Sequence, residues 1–147
     1  MRTIALVSCS KSKLHVPSLA KNMYTSPLFK KSREWAERNC DAWYVLSAKY
    51  HLLSPLAIIK GYDRTISKMG KRARQRWAQT VYEQMKTSGL LGRRVKFIWL
   101  AGSNYKKPLI GFLNGVPQAD PLQERKLGER LQWLNKQLGA EKSIRIS

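Results

Sequence analysis

Three short runs of apolar and β-branched residues punctuate the chain, and each stops abruptly at a small polar loop. Residues 3–7 run into Ser8-Cys9-Ser10-Lys11-Ser12-Lys13, residues 43–46 into Ser47-Ala48-Lys49-Tyr50, and Val95–Leu100 into Ala101-Gly102-Ser103-Asn104-Tyr105. Separated by helix-length amphipathic segments, such runs read as buried parallel strands joined by helical crossovers. The carboxyl ends of parallel strands share one edge of the sheet, and ligands of open α/β sheets bind at that edge. Three loops bearing Ser, Cys, Lys, Asn, Tyr and Gly are therefore expected around one crevice.

The segments between the strands carry helix signals. Ser26 can cap a helix, Pro27 fits its first position, and Leu28, Phe29, Trp35 and Ala36 give it a buried face through about Arg38. Met69, Ala73, Trp77, Val81 and Met85 recur every fourth residue and predict a helix over 67–86, closed by Ser88-Gly89. The loop after the third strand opens a helix containing Leu109, Ile110, Phe112 and Leu113, ended by Asn114-Gly115. Residues 116–119 read as a fourth strand, at an edge because Pro117 cannot donate to a ladder. Leu127, Leu131, Leu134 and Leu138 mark a last helix ending at Gly139, which leaves 140–147 as a frayed strand or disordered tail. The expectation is a single α/β domain over 1–147, a small, mostly parallel four-stranded sheet flanked by helices.

Composition sharpens the functional side. The 147 residues, 43% of them hydrophobic, suffice for one core. Lys and Arg number 28 against 9 Asp and Glu, a net charge of +19 that strains the compact state unless a polyanion shares it. Nucleic acid, DNA first, is the expected partner. A membrane surface is not: the cations are spread along the chain, without a Trp/Leu-faced amphipathic helix or a lipidation signal. No apolar stretch approaches the ~20 residues of a membrane span, and the first residues lack a secretory layout, so a soluble, cytoplasmic protein is expected. Cys9 and Cys40 stand at unrelated places, and His15 and His51 are the only histidines. That is neither a disulfide framework nor a metal-ligand pattern, and no cofactor is called for.

Several side chains carry candidate chemistry, each beside a plainer reading. The small residues of the first loop let backbone N–H groups approach an anion, with Ser8 and Ser10 as hydrogen-bonding groups and Lys11 and Lys13 as charges; a solvated Ser/Lys turn is the alternative. The loop has no glycine and is not a P-loop. Cys9 is either a nucleophile or a small buried hydrophobe. Asp63, an acid among cations, can orient water or steady a sugar cation, or else cap a turn or pair with Arg64, Arg72 or Arg74. Lys49 can hold phosphate or act as an amine nucleophile, and Ser47 and Tyr50 flank it. Asn104 can read a base edge or simply cap a helix, with Tyr105 beside it. Trp35, Trp77 and Trp133 lie on apolar helix faces and read as core; other aromatics are possible platforms for unstacked bases.

The stretch Leu46-Ser47-Ala48-Lys49-Tyr50-His51-Leu52-Leu53-Ser54-Pro55, followed by Tyr62, resembles the signature of the YaaA peroxide-stress protein family. In that family a Leu-Ser-Gly strand end precedes Tyr-Gly-hydrophobic-Leu-x-Pro and a later Tyr. The opening Ser8-Cys9-Ser10-Lys11 looks like its Ser-Pro-Ala-Lys loop. It is closer to the Ser-Cys-Ser-Lys loop of a family of small bacterial and phage proteins, which also carry a Tyr-Thr-Ser-Pro-Leu-Phe element matched by residues 24–29. A Cys-Ser-x-x-Lys loop also recurs in a domain of archaeosine synthase, which modifies a tRNA base. The resemblance to the small-protein family spans about residues 3–135; that to the YaaA family spans the two loops, with Ala48 and His51 where its pattern has glycine. What these resemblances imply is a fold akin to the uracil-DNA glycosylases, DNA binding, and excision or exchange of a nucleobase.

The leading expectation is a DNA-binding protein that hydrolyses the N-glycosidic bond of a damaged or modified base. Backbone phosphates would lie against Lys68, Lys71, Arg72, Arg74 and Arg76, and against Lys106 and Lys107. Ser8, Ser10 and Lys11 would hold phosphate or base, Lys49 phosphate, Tyr50 or Tyr62 a stacked ring, and Asn104 the base edge, with Asp63 at the water or sugar. The alternatives are a non-catalytic DNA-binding, protecting or inhibitory module, and a transferase acting on a tRNA base or nucleotide with Lys11 or Lys49 as its amine.

Overall fold

The computed structural model describes residues 1–92, 94–123 and 125–146, with side chains through 139 in the last stretch. In chain order the elements are β1 (Arg2–Ser8), β2 (Ser18–Leu19), α1 (Ala20–Met23), α2 (Pro27–Asn39), β3 (Ala42–Ser47), β4 (His51–Leu53), β5 (Ile58–Ile59), a 3₁₀ turn (Ile66–Lys68), α3 (Lys71–Thr87), β6 (Val95–Leu100), α4 (Ser103–Ile110), a second 3₁₀ turn (Gly111–Leu113), β7 (Gln118–Ala119) and α5 (Leu127–Ile146). The main sheet has the order β4-β3-β1-β6-β7, and β2 pairs with β5 in a separate two-stranded ribbon. β3, β1, β6 and β7 run parallel, and β4 folds back antiparallel on β3.

β1 is central because both of its faces are apolar. Ile4 and Leu6 point to one core with Phe97 and Trp99 of β6, closed by Trp77, Val81 and Met85 of α3 and by Leu109 of α4. Ala5 and Val7 point to the other, with Val45, Ile98 and Leu100, closed by Phe29 and Ala36 of α2. Helices therefore cover both faces, and the continuous apolar runs are explained by burial on two sides. The α2 start is built as its sequence implies: Pro27 opens it and the Ser26 hydroxyl accepts from the Phe29 N–H at 3.2 Å. At the far end of β1 the Asp41 carboxylate accepts from the N–H and hydroxyl of Thr3, at 2.8 and 3.2 Å, tying the start of β3 to β1.

Four expectations need correction. The sheet has five strands, the fifth being β4, whose return depends on His51 at φ +65. The helix expected over 67–86 begins only at Lys71, because Gly70 takes an extended conformation and Ile66–Lys68 forms its own 3₁₀ turn. The helix expected to close at Asn114-Gly115 gives up α-helical form at Gly111 and finishes as a 3₁₀ turn. α5 continues past Gly139 to Ile146 where a tail was expected; Ser147 lies outside the described residues.

Candidate functional site

The strand ends are stitched together at the carboxyl edge. The Cys9 N–H donates to the Leu46 carbonyl at 3.0 Å, and the Gly102 N–H donates to the Ser8 hydroxyl at 3.3 Å, so the loops after β1, β3 and β6 share one rim. A hollow of about 180 Å³ opens there, walled by Cys9, Ser10 and Lys11, by Asn104 and Tyr105 of α4, and by residues 64–67. A larger cleft of about 790 Å³ lies beside it, between the first loop and residues 60–63, and presents Lys11, Lys13, His15, Lys60, Tyr62 and Asp63. Lys11 lines both. A third cavity, about 330 Å³, is bordered by His51, Arg64, Arg76 and Trp77, and so shares Arg64 with the hollow.

Beneath the rim runs a hydrogen-bonded chain of hydroxyls. The Ser47 oxygen accepts from the N–H groups of Lys49 and Tyr50, at 3.2 and 2.9 Å, which fills its lone pairs. Its own proton therefore goes to the Tyr62 oxygen 2.9 Å away. The Tyr62 and Tyr24 oxygens are 2.8 Å apart, and the Cys9 sulfur stands 3.1 Å from the Tyr105 hydroxyl. Burial, and after it the charge Cys9 carries when ionised, pushes all three phenols far above their ordinary range, so Tyr24, Tyr62 and Tyr105 remain O–H donors at any working pH. The Trp77 indole donates to the Ser47 carbonyl at 2.8 Å, fixing the end of β3 from below.

The first loop is held as firmly. Its backbone bonds to residues 23–25, and the Ser10 hydroxyl donates to the Ser12 carbonyl at 2.9 Å. The Lys13 ammonium donates to the Lys11 carbonyl at 3.1 Å and lies 4.5 Å from the centre of the Tyr62 ring. Desolvation lowers the Lys13 pKa, opposed by Cys9 and Asp63. Across the cleft Gly61 meets the first loop directly: a Cβ there would lie 2.8 Å from the Leu14 carbonyl oxygen, so only glycine allows this approach.

The sequence-derived candidates divide accordingly. Cys9, Ser10, Lys11, Asn104 and Tyr105 meet at the hollow, Ser8 instead holds the Gly102 N–H and does not line it, and Ser47 lies in the hydroxyl chain. Tyr62, Lys13 and Asp63 belong to the adjoining cleft. Tyr50 packs edge-on to Tyr62, 5.6 Å between centroids, as part of its support. Lys49 is exposed, its ammonium 5.3 Å from the Tyr50 ring, and it lines neither the hollow nor the cleft. Of the cations on and before α3, Lys68, Lys71, Arg72 and Arg76 are exposed. Arg74 is turned inward instead, donating to the carbonyls of Ile66, Met69 and Ser67 at 3.1, 3.0 and 3.1 Å and to the Asn104 side chain at 3.3 Å. Lys106 is paired with Asp120 at 2.8 Å, both side chains largely covered, whereas Lys107 is exposed. Trp35 and Trp133 pack against each other at a tilt, 5.6 Å between centroids, half-buried against the core between α2 and α5, and Trp77 is buried within the core.

Sequence reasoning passed over Lys60, Thr65 and Ser67, and took Arg64 only as a candidate partner for Asp63. They belong to the segment around Gly61-Tyr62-Asp63, which reads as an ordinary turn; the one cue was a cluster of Gly, Tyr and charge too short to be an element. Among the described residues no group of three or more His, Cys, Asp or Glu could hold a metal ion, and no helix is long and apolar enough to cross a membrane. No curated protein and no solved structure matches the chain. Residues 4–136 match a family described as a family of unknown function, DUF6884, and the chain belongs to that family.

Proposed function

We propose that this protein binds DNA and hydrolyses the N-glycosidic bond of a nucleotide held at the carboxyl edge of its sheet. The observation that carries the reading is the two-part site: a small hollow and a larger cationic cleft that share Lys11, with Asp63 lining the cleft and the next residue, Arg64, lining the hollow. A nucleotide divides in the same way. Its base fits the hollow, where Asn104 offers an amide to a base edge and Tyr105 a ring, and its phosphates fit the cleft beside Lys11, Lys13 and Lys60. The sugar joining them then falls at Asp63 and Arg64.

Chemistry on a base requires that it leave the stack, and a walled hollow accepts only an unstacked one. In the reaction the C1′–N bond breaks, its electron pair leaves with the base, and a water oxygen bonds to C1′ while the base takes up a proton. The Asp63 carboxylate orients that water and offsets the positive charge growing on the sugar. The glycosylase-like fold remains part of this proposal. Lys49, outside both cavities, is left with contact to a flanking phosphate.

The test is release of base, read as abasic sites, from damaged, modified and unmodified DNA incubated with the purified protein. Asp63→Asn is expected to cut the rate about 10²- to 10⁴-fold and to leave DNA affinity within a few-fold. Salt-sensitive binding with no abasic sites from any substrate would reduce the protein to the non-catalytic module.

A further inference from the structure

We infer that the substrate enters as a single strand, threaded through a continuous cationic track across the sheet edge; this rests on the nucleic-acid reading above. The three cavities are a linked series. Lys11 lines both the cleft and the hollow, and Arg64 lines both the hollow and the third cavity, so neighbouring cavities adjoin at a shared cation. Beyond these two, Lys13, His15 and Lys60 line the first cavity, and His51 and Arg76 the third. Asp63 is the one acid among the described residues lining the series.

Concavity decides between strand and duplex. A duplex presents phosphates on a broad convex surface and can deliver one extruded nucleotide to the hollow of about 180 Å³, but it cannot lay successive unstacked bases along all three cavities. A single strand can follow a groove with phosphates on the cations and bases turned to the walls, the arrangement general to single-strand binders. A free nucleotide uses only one or two of the cavities. The third, bordered by Arg76 and His51, shares Arg64 with the hollow and no residue with the cleft, so a ligand that spans all three must be longer than the one in the hollow.

Fluorescence anisotropy of end-labelled oligonucleotides tests this with the full chain. The expected result is that an octanucleotide binds about tenfold or more tightly than both a dinucleotide and its own duplex at the same salt. Lys60→Ala and Arg76→Ala, both exposed, one lining the first cavity and one the third, should each weaken octanucleotide binding about three- to tenfold and lower the salt slope by about one, while dinucleotide affinity holds in Arg76→Ala. Unchanged melting temperatures would confirm that the variants are folded. Duplex binding as tight as single-strand binding, an affinity that does not grow with length, or a loss confined to one of the two variants would overturn the track and leave the nucleic-acid reading standing. Failure of every oligonucleotide to bind would end both.

Discussion

His51 holds a left-handed backbone, φ +65, at the point where β3 hands over to β4. The turn needs a conformation that glycine adopts freely and that histidine tolerates better than most side chains. The imidazole is held below its ordinary pKa of 6.5, by burial first and by Arg64 second. The folded state thus binds this proton less readily than the unfolded chain. Stability from this residue is complete above the ordinary value and is lost as pH falls through 6.5 toward the lower folded value. Asparagine accepts the same backbone angle and does not titrate, so His51→Asn should gain on the native protein as pH drops from neutral to about 5, and the gap should stop widening below the folded pKa. Urea unfolding at several pH values measures this; a gap that stays constant with pH would refute the burial of His51 as its cause.

At the scale of elements, Arg74 of α3 clamps the 3₁₀ turn that walls the hollow. Two carbonyls of that turn, the Met69 carbonyl just after it and the Asn104 side chain converge on one guanidinium, a planar fork that lysine cannot reproduce. Arg74→Lys is expected to cost about 1–3 kcal/mol, to speed proteolysis within residues 65–69, and to leave the salt slope of DNA binding unchanged. A slope lowered by about one with no change in stability would instead make Arg74 a phosphate contact. The sequence marked Arg74 as a member of a basic face and as one of three candidate partners for Asp63, because nothing local distinguishes an arginine turned inward from one turned out. For the same reason the loops after β1 and β6 were legible as a site, since a strand's end is set by where its apolar run stops, whereas residues 60–67 were not. Their place depends on Gly61 meeting the Leu14 carbonyl and on Arg74 reaching back across eight residues to Ile66, contacts that periodicity does not encode. β4 and β5 escaped for a related cause: strands of three and two residues are too short to show a period.

Across the whole molecule, charge acts in two opposed ways. A net charge of +19 makes the free protein repel itself, and the few acids do little to relieve it: Glu34 and Glu37 bind arginines along α2, and Asp120 is committed to Lys106. Raising the salt shortens the screening length from about 14 Å at about 0.05 M to about 4 Å at about 0.5 M, which weakens repulsion between exposed cations more than it weakens the covered Lys106–Asp120 pair. The free protein should therefore melt higher with added salt, by about 2–8 °C if the relief is about 1–2 kcal/mol. Binding must move the other way, because every phosphate neutralised releases a counterion that salt drives back. A calorimetric melting series and a binding series over one salt range should then slope in opposite directions. If melting fell with salt, attraction between unlike charges would govern the fold, and self-repulsion could no longer be the reason this surface takes a polyanion.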